Sequence, residues 1–155
     1  MPQRPAAPDG TPPMVTLVVR KTIRATPERL FDAWTRPEEL KRWWGPQSVT
    51  CIDAAVDLMV GGSYRIANRF PSGDVVWITG EFELIDRPHR LVYTWRLGTD
   101  IGPSERVSVT FEANGPNTDV NVTHERIPGI PVRDIHEQGW HGCLDGLVEY
   151  VSHEG

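Results

Sequence analysis

The sequence predicts an α+β fold in which a curved antiparallel β-sheet wraps around a long C-terminal helix, with two short helices after the first strand. Three observations predict this fold. Apolar residues recur at helical spacing early in the chain and at its end, they alternate with polar residues in the middle, and short turn sequences join the alternating segments. Short connections imply antiparallel strands, because parallel strands need long crossovers. One apolar sheet face covered by one amphipathic helix makes a two-layer domain.

The first strand is predicted at 15–23, and two short helices follow it. Thr26 can accept a hydrogen bond from a free amide and Pro27 fits the first helical position, so together they predict a helix start. Pro37 predicts the start of the second helix. Gly45-Pro46 predicts its end, because Gly adopts a left-handed cap and Pro cannot continue a helix.

The middle of the chain predicts six further strands with turn residues between them. They are placed at 49–57, 62–70, 75–86, 90–97, 104–113 and 118–126. The clearest alternation places Val107, Val109 and Phe111 on one face. Trp77 lies in a run that is apolar on both sides, so the sequence does not orient it.

Pro131 predicts the start of the last helix, which extends to about His153, a length of roughly 30 Å. Its apolar face carries His136, Trp140, Cys143, Leu144, Leu147 and Val151.

Three glycines, Gly139, Gly142 and Gly146, lie on one strip beside the apolar face of this helix. Each glycine lowers the stability of the helix by roughly 1 kcal/mol relative to Ala. Close packing on a neighbouring element, open space at a pocket mouth and contact with a second copy in a homodimer each account for the strip. The sequence leaves these three explanations open.

Composition limits the classes of partner. The chain has 155 residues and a net charge of -5, which predicts one domain at 14–155 and argues against nucleic acid, because phosphate binding needs clustered Lys and Arg. There is no apolar run near 18 residues, so membrane insertion is not predicted. Residues 1–13 are rich in Pro and predict a disordered tail with no secretory signal, and we expect a cytoplasmic protein. The two cysteines do not form a disulfide framework.

Several polar residues share the predicted inner face. His124 ends a strand on the apolar side and could bond a ligand oxygen, although a bond to a neighbouring protein group is favoured. Tyr64 and Asn68 could supply a hydroxyl and an amide to the same pocket, or could simply satisfy core polar groups. Trp95 and Trp140 offer flat apolar walls that suit planar or lipid-like ligands.

No catalytic residue, metal or cofactor is predicted. Cys143 lies mid-helix among apolar residues, which favours an inert thiol over a nucleophile. A metal site from His136, His141 and Cys143 fails on geometry, because residues five apart on a helix diverge around it. The carboxylates Asp53, Asp57, Glu81 and Glu83 are expected to be solvated strand residues.

A series of short motifs resembles the helix-grip, START-like superfamily, also called SRPBCC. Within it, the chain is similar to the family homologous to the activator of the heat-shock-protein-90 ATPase. The similarity covers about 14–152 and rests on Ala33-Trp34, Trp43-Trp44-Gly45-Pro46, Asp57, Gly61-Gly62-Ser63-Tyr64, Gly80-Glu81-Phe82, Arg90-Leu91-Val92-Tyr93-Thr94-Trp95, Val109-Thr110-Phe111, Thr123-His124-Glu125 and Gly139-Trp140.

The resemblance implies an internal cavity that holds apolar small molecules or lipids. We therefore expect a small hydrophobic or aromatic ligand beneath the C-terminal helix. The predicted ligand contacts are Tyr64, Asn68, Tyr93, Trp95, His124, Trp140, Cys143 and Leu144. Two alternatives stay open: a cyclase, aromatase or hydrolase that uses the same cavity with His124 as its acid or base, and a co-chaperone-like module that binds proteins. The eukaryotic co-chaperone carries a further N-terminal domain, so chaperone activation is the weaker expectation here.

Overall fold

The computed structural model describes residues 14–45, 48–98 and 103–152. The elements are β1 (Met14–Ile23), α1 (Pro27–Thr35), α2 (Pro37–Trp43), β2 (Thr50–Val56), β3 (Ser63–Arg69), β4 (Val75–Asp86), β5 (Arg90–Leu97), β6 (Glu105–Asn114), β7 (Asn117–Pro128) and α3 (Ile130–Ser152). They confirm the predicted α+β fold and the order of its elements. The predicted N-terminal tail, the turn signal at Pro46 and the predicted helix end at His153 lie outside the described residues.

The seven strands form one antiparallel sheet in the order β1-β7-β6-β5-β4-β3-β2. The first strand therefore pairs with the last, and Leu17 lies opposite His124. Register shifts interrupt the pairing in β2 between Cys51 and Asp53 and in β4 between Phe82 and Leu84. Such bulges increase local twist, which bends the sheet around the helices.

The starts of both short helices follow the predicted chemistry. Thr26 caps α1 by accepting a hydrogen bond from the backbone N–H of Arg29 at 3.1 Å, and a proline opens each helix. The second helix ends at Trp43, and Gly45 has a φ of 121°, the left-handed region expected of it.

The core lies between the inner face of the sheet and the three helices. The long helix α3 packs against β1, β7 and α2, and it buries His136, Trp140, Cys143, Leu144 and Leu147, while Val151 is half-buried. No helix in the described ranges combines the length and the apolar character needed to cross a membrane.

Trp77 points away from this core. It is 37% exposed on the outer face of the sheet, where the Arg65 guanidinium lies 5.8 Å from its ring centroid. The sheet pairing decides this orientation, since the neighbouring Ile78 takes the buried position.

The glycine strip on α3 serves two purposes. A Cβ atom at position 146 would lie 2.8 Å from the carbonyl oxygen of Trp43, so Gly146 lets α3 approach α2 closely. A Cβ at position 139 would meet no atom within 4 Å, and Gly139 and Gly142 line a cavity instead. Close packing and open space therefore both account for the strip without a second copy of the chain.

The different surroundings of Gly146 and Gly139 predict that an added methyl group has opposite effects on stability at the two positions. We expect Gly146→Ala to lower the free energy of unfolding by about 1–3 kcal/mol, because the backbone of α2 has to shift. Gly139→Ala should raise it by about 1 kcal/mol through helix propensity. Urea denaturation of both variants measures the two effects. A similar change in both would contradict the assigned packing of Gly146.

Candidate functional site

A cavity of about 650 Å³ lies between α3 and the strands β3, β4 and β5, and we call it the α3 cavity. It opens at the surface between Phe70 and Ile135, which are 39% and 69% exposed. Its deeper wall is largely apolar and aromatic. The wall residues that matter below are Trp44, Asn68, Trp95, His136, Trp140 and Cys143.

A second concave surface, of about 740 Å³, lies on the outer face of the sheet. Asp57, Arg65, Glu81 and Arg96 line it together with Tyr64 and several small or apolar residues, so its wall carries more charged groups than that of the α3 cavity. Small-molecule sites are usually apolar clefts with a few placed polar groups. The α3 cavity fits that description better, even though it is slightly smaller.

The eight residues predicted to contact a ligand occupy three environments. Asn68, Trp95, Trp140 and Cys143 line the α3 cavity. Tyr64 and Tyr93 line a separate void of about 20 Å³, to which Trp95 also contributes, and Tyr64 lines the outer concave surface as well. His124 and Leu144 are fully buried in the core.

The hydroxyl groups of Tyr64 and Tyr93 are engaged within the protein. Tyr64 donates to the carbonyl oxygen of Thr94 at 2.6 Å, and Tyr93 accepts from Nε1 of Trp34 at 3.2 Å. Burial raises the pKa of both hydroxyls, so both stay neutral. These contacts match the structural role that the sequence analysis weighed for Tyr64.

The thiol of Cys143 forms part of the cavity wall, but it is not activated. Burial raises its pKa to about 12, which outweighs a hydrogen bond with the backbone of Gly45. A thiol with so high a pKa carries almost no thiolate near neutral pH.

Three buried polar atoms in the described residues have no hydrogen-bond partner: Nε1 of Trp44, Nε1 of Trp95 and Oδ1 of Asn68. All three residues belong to the wall of the α3 cavity. An unpaired buried polar group costs about 1–3 kcal/mol, so such groups are few in folded proteins and each calls for an explanation. Two donors and one acceptor on an aromatic wall are suited to a ligand that carries a few polar atoms.

A cluster of three titratable side chains lies at one end of the cavity. Oε1 of Glu105 lies 2.7 Å from Nε2 of His124 and 2.9 Å from Nε2 of His136. The two imidazole rings stack with centroids 4.5 Å apart and planes at 16°. Of the three residues, His136 belongs to the cavity wall.

Glu105 is ionised in this cluster. Burial alone would raise the pKa of its carboxyl group, but the hydrogen bonds from His124 and His136 outweigh burial and lower it to about 2. Sequence analysis did not single out Glu105. The alternation of β6 nevertheless indicated that Glu105 faces inwards, because residue 105 is in phase with Val107, Val109 and Phe111 on the inner face.

Hydrogen bonds fix the tautomer of His124. Trp140 donates from Nε1 to Nδ1 of His124 at 3.0 Å, so that nitrogen carries no proton. The proton of the neutral ring is then on Nε2, which donates to Glu105. Burial lowers the pKa of His124, which favours this neutral form. Both nitrogens are therefore occupied by protein partners, the role that the sequence analysis favoured for His124.

The same contacts argue against a metal ion at this cluster, although the ligand atoms of Glu105, His124 and His136 lie within 4.8 Å of one another. A neutral histidine that binds a metal through Nε2 carries a proton on Nδ1 and donates it to an acceptor. At His124 that proton would face the N–H group of Trp140. Two donors would then oppose each other in the core.

Comparison with solved structures shows the same fold in bacterial and eukaryotic proteins. A protein from Chromobacterium violaceum is 27% identical, with a TM-score of 0.81 over 88% of this chain and 96% of that one. An AHSA1 protein from Silicibacter pomeroyi, at 20% identity, shares the fold with a TM-score of 0.82 over 91% of this chain and 100% of the other. An HSP90 activator from Plasmodium falciparum is 27% identical, with a TM-score of 0.71 over 88% and 96% of the two chains.

A comparison with curated protein sequences finds no match. The family model described as "Activator of Hsp90 ATPase homolog 1-like protein" matches residues 24–152, which is most of the chain. This match confirms the resemblance drawn from the sequence motifs. The chain therefore belongs to the AHSA1 family, within the START-like helix-grip fold.

Proposed function

We propose that this protein binds a small apolar molecule, aromatic or lipid-like and carrying a few polar atoms, in the α3 cavity. The observation that carries the proposal is that three residues of one aromatic wall, Trp44, Trp95 and Asn68, each hold a buried polar atom without a partner among the described residues. A ligand oxygen that accepts from an indole N–H, or a ligand donor that reaches Asn68, removes a cost that the protein otherwise bears. Trp140 adds a flat apolar surface.

The first test is native mass spectrometry of gently purified protein beside its denatured mass. We expect an adduct in the native spectrum that disappears on denaturation. Gly139→Trp should remove the adduct, because the new ring fills open space in the cavity. The matched control is His141→Trp, which adds the same ring on the exposed side of α3 and should keep the adduct.

Asn68→Leu separates a binding role from a structural one. Leu removes the unpaired Oδ1 atom and fills a similar volume, so we expect the free energy of unfolding to stay level or rise by about 1 kcal/mol. The affinity for the adduct molecule should fall by about 10-fold, the equivalent of one lost hydrogen bond. Urea denaturation and titration with the recovered molecule measure the two effects. A large loss of stability with unchanged affinity would contradict the binding role.

A second candidate function follows from the similarity to the Plasmodium falciparum HSP90 activator. In that case the chain is a protein-interaction module and the cavity is structural. A clean apo mass, with no thermal shift across a library of lipids and aromatics, would favour this candidate. Stimulation of the ATPase activity of an Hsp90 chaperone by the added chain would support it directly.

A further inference from the structure

We propose that the α3 cavity is also an active site for proton transfer, in which His136 accepts a proton from an apolar carbonyl compound and Glu105 positions His136. The acidic C–H group of the substrate is adjacent to its carbonyl group. This inference rests on the proposed function, since the substrate has to occupy the cavity. It assigns the base to His136 and not to His124, the acid or base of the enzyme alternative left open by the sequence.

The geometry favours His136 because one of its ring nitrogens has no partner in the part of the chain that the structure describes. Nε2 lies 2.9 Å from Oε1 of Glu105, and a carboxylate accepts hydrogen bonds, so Nε2 carries the proton of the neutral ring. Nδ1 then has a lone pair, and it has no hydrogen-bond partner among the described residues. His136 belongs to the wall of the α3 cavity, whereas both nitrogens of His124 are occupied by Glu105 and Trp140.

The charge of the cluster supports the same assignment. In the described part of the chain Glu105 pairs with two histidines and with no lysine or arginine. The cluster therefore carries one negative charge while both imidazoles are neutral. A proton taken up at Nδ1 of His136 creates an imidazolium ion beside the carboxylate, which stabilises it. Two neutral rings also contact His136: His124 stacks on it from β7, and Trp95 contacts it edge-on from β5 with centroids 6.0 Å apart. The charged side chain in the wall of the α3 cavity is Asp145, which is paired with Lys21 at 2.9 Å.

Proton transfer also leaves negative charge on the substrate, and the indole N–H groups of the cavity stabilise that charge. Among the described residues, Nε1 of Trp95 and Nε1 of Trp44 are donors without a partner, and both residues belong to the wall of the cavity that His136 also lines. When the C–H proton moves to Nδ1, the C–H electron pair forms the C=C bond of an enolate and the C=O pair moves to oxygen. An N–H donor to that oxygen binds the enolate more strongly than the ketone. Return of a proton from His136 to the same carbon restores the ketone and completes exchange with solvent without a co-reactant.

The test follows exchange of the acidic C–H protons of 2-tetralone, an apolar aromatic ketone, by proton NMR in deuterium oxide. We expect the protein to accelerate exchange by about 100-fold or more over matched buffer, the usual contribution of a positioned general base. His136→Gln should return the rate to the buffer level while 2-tetralone still binds, as measured by quenching of tryptophan fluorescence. His141→Gln, on the exposed side of the same helix, should leave the rate unchanged.

Glu105 is tested as a positioning residue by the nitrogen chemical shifts of the His136 ring. Its carboxylate accepts the hydrogen bond from Nε2, so Glu105→Ala should leave the two neutral tautomers of His136 mixed and lower the rate of exchange. A merely structural role would lower the rate and leave the proton on Nε2.

Each remaining outcome bears on the proposal. Saturable binding of 2-tetralone without exchange above buffer would overturn the proton-transfer site and leave ligand binding intact. If 2-tetralone does not bind, the carbonyl substrate class is wrong, whereas an adduct in the native mass spectrum would still support ligand binding. The nitrogen chemical shifts of the histidine rings give a test without any probe. A proton on Nδ1 of neutral His136 would overturn its role as the base.

Discussion

Trp140→Ala should lower the free energy of unfolding by about 3–5 kcal/mol, the cost of truncating a large buried aromatic side chain. Trp140 is 3% exposed, and its ring stacks on Trp34 at 6.0 Å between centroids and packs edge-on against Trp44 at 5.5 Å. It also supplies the only donor to Nδ1 of His124 in the described residues. The substitution therefore removes packing and leaves a buried acceptor without a partner.

Trp140→Phe separates the loss of packing from the loss of the hydrogen bond to His124. The phenyl ring keeps much of the packing and loses the N–H group, so we expect a loss of about 1–3 kcal/mol. The matched control is Trp77→Ala, because Trp77 is 37% exposed on the outer face of the sheet. Urea denaturation of the three variants measures the series. A loss for Trp77→Ala as large as that for Trp140→Ala would contradict the central position of Trp140 in the core.

The second large effect is the loss of stability in acid. The pKa of Glu105 is lowered from 4.5 to about 2 in the folded protein, so its contribution to stability is complete above pH 4.5 and is lost as the pH falls towards 2. The pKa of His124 lies below its ordinary value of 6.5, because burial favours the neutral ring. The unfolded chain therefore takes up a proton near pH 6.5 that the folded protein does not bind, and stability falls from there downwards. Both groups act in the same direction.

We expect the free energy of unfolding to decline gradually below about pH 6.5 and more steeply below about pH 4.5. The part due to Glu105 should be about 1–2 kcal/mol, since solvent screens a half-buried carboxylate. Glu105→Gln should lower stability at neutral pH and flatten the lower part of the curve. Urea denaturation across this pH range checks both statements. A parallel decline in the variant and the parent would show that other carboxylates dominate.

Several elements of the structure followed from local patterns. The Thr26-Pro27 start of α1, the Gly45 cap after α2 and the alternation of β6 each depend on residues close together in the chain. The same alternation and the 3.6-residue spacing of α3 placed Trp95, His124 and Trp140 on inner faces, where they are buried. The cytoplasmic location and the tail at 1–13 stay predictions.

The candidate site depended on contacts that no local pattern contains. Glu105 was overlooked, because its partners His124 and His136 lie 19 and 31 residues further along the chain. His136 was considered only with His141 and Cys143, its neighbours on the helix. Trp77 stayed without an orientation, because a run that is apolar on both sides gives no period to read.

The sequence by itself determined the fold class, the order of the elements and the inner face of most of them, because turn chemistry and side-chain periodicity act over a few residues. Tertiary structure alone decided which inner-face groups meet, which are paired and which remain unpaired. It separated Gly146, packed on α2, from Gly139, which borders open space. It also placed the carboxylate of Glu105 between two histidines from different elements. Such contacts are set by strand register and by the position of α3 on the sheet, and these depend on the packing of the whole core.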